Sequence, residues 1–111
     1  MKTIELSIWE RLNIFGIISA QGGQLDRVRK LLRILDVIDF SEDEIKKIKL
    51  TKTILPNNSV TYDWDRKIEN KNFTLEFEDE HAELLKEILK NYTNWIVDKR
   101  VITLMDKVEK L

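Results

Sequence analysis

Apolar residues along the chain change their spacing several times, and each change marks an element. Lys2-Thr3-Ile4-Glu5-Leu6 alternates polar with apolar, the period of a short edge strand with Ile4 and Leu6 on one face. From Ile8 to about Ile18 the set Ile8, Leu12, Phe15 and Ile17 or Ile18 follows helical spacing, and the helix is expected to stop near Ser19-Ala20-Gln21-Gly22-Gly23. A second helix, about Gln24 to Ile38, carries the stripe Leu25, Val28, Leu32, Leu35 and Ile38, which the first helix is expected to cover. A third, short helix spans about Glu42 to Leu50.

The period then shortens to that of strands. Thr51 to Leu55 and Val60 to Trp64 are β-prone runs around Pro56-Asn57-Asn58-Ser59, a hairpin signal, and alternating Phe73-Thr74-Leu75-Glu76-Phe77 is expected to join that hairpin. From Asp79 the helical period returns, with Leu84 or Leu85, Ile88, Tyr92 and Trp95 or Ile96 on one face; a last helix, about Val97 to Lys110, carries Val97, Val101, Leu104, Val108 and Leu111. Two helix starts are marked by capping boxes, Ser7-Ile8-Trp9-Glu10 and Ser41-Glu42-Asp43-Glu44, in which serine and glutamate exchange hydrogen bonds with each other's backbone. The expected fold is therefore α+β, about five helices with a small antiparallel sheet of three to four short strands, in a single domain over residues 1–111.

Composition narrows the function classes. The chain has 42% hydrophobic and 35% charged residues with a net charge of −1, so no global field draws it to nucleic acid or to an anionic membrane. With no cysteine there is no disulfide, thiolate nucleophile or Cys-based zinc site. No apolar run approaches the ~20 residues of a membrane span, and a cytoplasmic protein is expected. His81 is the only histidine and stands among Glu78, Asp79, Glu80 and Glu83, where an exposed position at a helix start is expected rather than a metal or acid–base role. The same carboxylates lack the spacing and glycine of a calcium loop. No nucleophile, base and orienting group share a suggestive spacing, so neither catalysis nor a cofactor is expected.

Binding is better represented. Gly22 and Gly23 open a helix whose Gln24 and Arg27 stand near backbone N–H groups, an arrangement able to hold an anion, although Asp26 opposes phosphate and no Gly-Lys-Ser/Thr follows. The competing reading is a plain reversal between helices. Arg27, Arg29, Lys30 and Arg33 form a basic surface without interleaved aromatics, the pattern of a solvated helix face. Trp9, Trp64 and Trp95 are widely separated and are expected to anchor contacts between layers. Trp95 with Val97, Val101, Leu104 and Val108 is the candidate subunit interface, packing within the chain being the alternative.

Glu10-Arg11-Leu12, the Gly turn before Leu25-Asp26-Arg27-Val28-Arg29-Lys30-Leu31, Phe40-Ser41-Glu42-Asp43-Glu44, Tyr62-Asp63-Trp64 and a closing helical pair together resemble a family of small bacteriophage and prophage accessory proteins. The resemblance runs over nearly the whole chain, and the ending Leu104-Met105-Asp106-Lys107-Val108 departs from it, lacking an aromatic near the end of the helix. It implies a non-enzymatic binding protein in the host bacterial cytoplasm that counters host defence, for example a homo-oligomer sequestering a nucleotide-derived immune signal, or a binder of a host protein. In that version Arg27, Gln24 or Arg11 contacts the anion and a tryptophan stacks on the ligand. A structural or assembly accessory and a small DNA-binding regulator are the alternatives.

Overall fold

The computed structural model describes all 111 residues. In order the elements are β1 (Lys2–Leu6), α1 (Ile8–Ser19), α2 (Leu25–Ile38), α3 (Glu42–Ile48), β2 (Thr51–Ile54), β3 (Val60–Asp63), β4 (Phe73–Phe77), α4 (Asp79–Asn91) and α5 (Lys99–Glu109), with one 3-10 turn at Arg66–Ile68. The fold is α+β, with five helices and four short strands, as the periodicity predicts. No helix is long and apolar enough to cross a membrane. The chain gathers into two compact units, Met1–Asp39 with Asn72–Leu111, and Phe40–Lys71.

In the larger unit β1 pairs antiparallel with β4, in the register Ile4 opposite Leu75 and Leu6 opposite Phe73. This departs from the expectation that residues 73–77 join the hairpin. The reason is apolar matching across the ladder: β1 brings buried Ile4 and Leu6 opposite Leu75 and Phe73, whereas every residue of β2 and β3 is exposed. The core of this unit gathers Ile4 and Leu6 with Ile14, Ile17 and Ile18 of α1, Leu31, Ile34 and Ile38 of α2, Phe77, Ala82, Leu85, Ile88 and Leu89, and Leu104, Val108 and Leu111 at the C-terminal end.

Two helix faces differ from those predicted. On α1 the buried side turns toward Ile14 and includes Glu10 and Arg11, while Leu12 and Phe15 are half-buried. On α2 the buried side is Leu31, Ile34 and Ile38, and Leu25 and Leu32 of the predicted stripe face solvent. Burying Arg11 is possible because its guanidinium donates to backbone carbonyls: Nε to that of Ile38 at 3.0 Å and Nη2 to that of Asp39 at 2.7 Å. Those carbonyls end α2, so Arg11 closes the helix C-terminus with a cation, where the macrodipole favours one. Phe73 lies beneath it, 5.4 Å from the ring centroid to Cζ.

The smaller unit holds α3 and the β2–β3 hairpin. α3 starts at its capping box and ends on Lys49, which takes the left-handed conformation at φ 55°. The hairpin turns where expected, with Asn58 N–H donating to the Leu55 carbonyl at 2.9 Å and Leu55 N–H to that of Ser59 at 2.8 Å. Asp65 N–H donates to the Ile48 carbonyl and joins the segment after β3 to the end of α3. Arg66 bridges Asp63 and Glu69 while its guanidinium covers Trp64 at 4.4 Å.

Candidate functional site

The turn between α1 and α2 is built around Arg27. Its Nε donates to the Gly22 carbonyl at 3.0 Å, and its aliphatic stem lies on Gly23. Gly23 has φ 141°, a conformation that strains any other residue, and a β-carbon there would sit 2.6 Å from Arg27 Cδ and displace the arginine stem. Gln24 caps α2 by backbone position and makes no side-chain capping bond. Arg27 is thus held by one nitrogen while Nη1 and Nη2 make no hydrogen bond within the chain, a prepaid orientation for an incoming acceptor.

Two depressions meet at this arginine. One, of about 400 Å³, is lined by Ala20 and Gln21 from the turn, Arg27, and Glu87, Ile88, Asn91, Tyr92, Thr93 and Asn94 from the end of α4 and beyond. Tyr92 is fixed edge-on against Trp95, with centroids 4.9 Å apart and an interplanar angle of 79°. Three side-chain amides, one guanidinium, one carboxylate and an aromatic ring offer donors and acceptors in a nearly neutral setting. The other, of about 630 Å³, is different: Asp26, Glu80, Glu83 and Glu87 face only Arg27 and Lys30, and Lys30 is paired with Glu80 at 3.4 Å. A phosphate entering there meets an excess of carboxylates.

The structure therefore brings Gly22, Gly23, Gln24 and Arg27 together at one end of α2 and leaves Arg11 at the other, buried and bonded to the carbonyls of Ile38 and Asp39. Fourteen residues of helix separate the two ends, about 20 Å. Arg11 is a helix-closing residue and not part of this groove. The predicted interface also divides. Val101, Leu104 and Val108 are buried, Leu104 and Val108 in the core just described, Trp95 is half-buried against that core, and Val97 lies before α5 with its side chain in solvent. Asp98 starts α5, accepting the Arg100 N–H at 2.8 Å, which takes Val97 out of the helical stripe.

Two of the four cations on the basic surface of α2 have an acidic neighbour within the chain, Arg29 at 3.7 Å from Asp26 and Lys30 at 3.4 Å from Glu80. His81 is more enclosed than expected, its side chain 14% exposed and 3.9 Å from the Glu78 carboxylate. The acidic run around it is spread over several partners, Asp79 reaching the terminal amine at 3.2 Å, and no three such side chains converge as a metal site.

No family model, no curated protein and no solved structure matches the chain.

The sequence alone does not place Glu87, Asn91, Tyr92 and Asn94 in the depression that Arg27 lines. One local signal was present: Asn91-Tyr92-Thr93-Asn94 interrupts the helical period with residues that favour helix ends and turns.

Proposed function

We propose that the chain is a non-catalytic binding protein whose Arg27 groove takes a small planar polar molecule, with a nucleotide-derived ligand as the class that fits. The observation that carries this is the tethered guanidinium, Nε fixed to the Gly22 carbonyl and both Nη groups uncommitted, beside Glu87, Gln21, Asn91, Asn94 and Tyr92. A base edge presents donors and acceptors together, which this mixture of amides, cation and carboxylate complements, and Tyr92 supplies ring surface. The carboxylates of the neighbouring depression make the base, rather than phosphate, the recognised part. The resemblance to small phage accessory proteins supports placing such a binder in a host bacterial cytoplasm, as an inhibitor of a nucleotide-signalled defence.

Native mass spectrometry of protein purified gently from bacteria, followed by calorimetry with nucleosides, mononucleotides and cyclic dinucleotides, tests this. A retained mass of nucleotide size, or heat that Arg27→Ala weakens by about tenfold or more, is expected. A clean mass with no heat from any of these ligands overturns it. A second reading, an assembly accessory that binds protein, is favoured by the hairpin, where Ile54, Val60 and Tyr62 share one exposed face.

A further inference from the structure

The apolar stripe on the outside of α2 has a charge pattern that points to its partner. Leu25 and Leu32 are 62% and 55% exposed, although each is a large aliphatic residue on a well-formed helix. At 100° per residue, Leu25, Arg29, Leu32 and Asp36 fall within one narrow arc of α2, on the side opposite Leu31, Ile34 and Ile38. The solvent side of the helix therefore reads apolar, cation, apolar, anion along its length. Arg29 has only the 3.7 Å approach of Asp26, both side chains being largely exposed, and Asp36 has no ion-pair partner in the chain. Alongside the stripe an open groove runs between α2 and the start of α4, with Leu32, Arg33 and Asp36 among its lining.

Such an order is complementary to itself in one direction. If two α2 helices lie antiparallel with a two-fold axis beside Leu32, Leu32 meets its symmetry mate, Arg29 stands opposite the partner's Asp36, and Asp36 opposite the partner's Arg29. In a parallel pair Arg29 would oppose arginine and Asp36 would oppose aspartate, which electrostatics penalises. We propose that this face of α2 is the contact of a two-fold symmetric homodimer, with Leu32 on the axis and two reciprocal Arg29–Asp36 ion pairs flanking it. An isologous contact of this kind needs only one patch per subunit, and the leucines supply the desolvated centre that the ion pairs ring. The interface predicted from the C-terminal stripe is thereby moved to α2, since Val101, Leu104 and Val108 are buried. The proposal does not depend on what the Arg27 groove binds.

Sedimentation equilibrium of the full chain, up to roughly millimolar concentration, covers the range in which a contact at the small end of the interface scale is populated. A monomer–dimer equilibrium is expected. Leu32→Asp should give monomer with an unchanged circular dichroism spectrum, because the side chain is exposed in the monomer. Arg29→Asp should raise the dissociation constant by about tenfold or more, and adding Asp36→Arg to it should recover most of that loss. A wild-type chain that stays monomeric throughout, a dimer that survives Leu32→Asp, or a double exchange that fails to recover affinity would each overturn the proposal. Saturable binding of a different protein at this face, with the chain itself monomeric, would overturn it too.

Discussion

The two capping boxes have the same local geometry and very different settings. Ser7 and Glu10 exchange bonds of 3.3 and 2.8 Å, and Ser41 and Glu44 exchange bonds of 3.2 and 3.1 Å. Glu10, however, is 3% exposed and receives Lys107 Nζ at 2.6 Å, while Ser41 and its bonds lie at the surface. The Lys107 ammonium also donates to Asn72 at 3.2 Å, so one box ties the start of α1 to α5 and to the segment entering β4. Its second carboxylate oxygen, Oε2, is buried without a partner. An identical four-residue signal is thus a local helix start in one place and a long-range tie in the other, and burial makes the difference.

Removing the carboxylate of the buried box is the strongest way to test that contrast. Glu10→Ala removes both the reciprocal capping bond and the partner of the half-buried Lys107 ammonium, and is expected to destabilise the larger unit by about 3 kcal/mol in urea unfolding. Lys107→Met leaves Glu10 as the unpaired buried charge and is expected to cost about 2 kcal/mol, with strong non-additivity when the two are combined. If the two losses simply add, the tie is not a pair. The serine hydroxyls give the smaller, sharpening comparison: Ser7→Ala and Ser41→Ala are each expected to cost about 1 kcal/mol, because both delete only the local cap. Equal serine effects beside a large Glu10 effect would locate the whole difference in the tertiary setting.

The same division explains what could be read from the chain. Element types and the capped starts of α1 and α3 were legible because spacing and capping are local, and the β2–β3 hairpin was legible from its turn residues; the start of α5 at Asp98 was not. The buried face of α2 was not. Leu25 and Leu32 form as regular a stripe as Leu31, Ile34 and Ile38, and only the packing partners choose between them. Glu10 and Lys107 lie 97 residues apart, so nothing near either announces the pair. Of the candidate groove, the half contributed by Gly22, Gly23 and Arg27 was visible as a glycine turn with a nearby arginine. The half contributed by Glu87, Asn91, Tyr92 and Asn94 arrives from α4 and its end by tertiary packing. Two of the expected tryptophan anchors share a device that sequence does not show: Arg100 lies over Trp9 at 4.2 Å and Arg66 over Trp64 at 4.4 Å.

A third helix start, at Asp98, supplies the weakest effect and a different handle. Its carboxylate is held from 3.8 down to about 2 by the Arg100 guanidinium first, at 2.7 to 3.2 Å, and by the Arg100 backbone N–H second. Because the folded-state value is lowered, the ionised form is the one that folding favours. Its stabilisation is complete above the unfolded value near 3.8 and is lost as pH falls toward about 2. Asp98→Asn keeps an N-cap acceptor while removing the charge, so helix content at neutral pH is expected to hold. The part of the acid-unfolding slope between those two pH values should shrink in the variant, and added salt should shrink it in the wild type, because this pair is open to solvent screening. If the slope is the same in both proteins, Arg100 does not hold Asp98 in solution. In that case the start of α5 belongs with the Ser41 box, a cap whose strength lies in local side-chain-to-backbone hydrogen bonds alone.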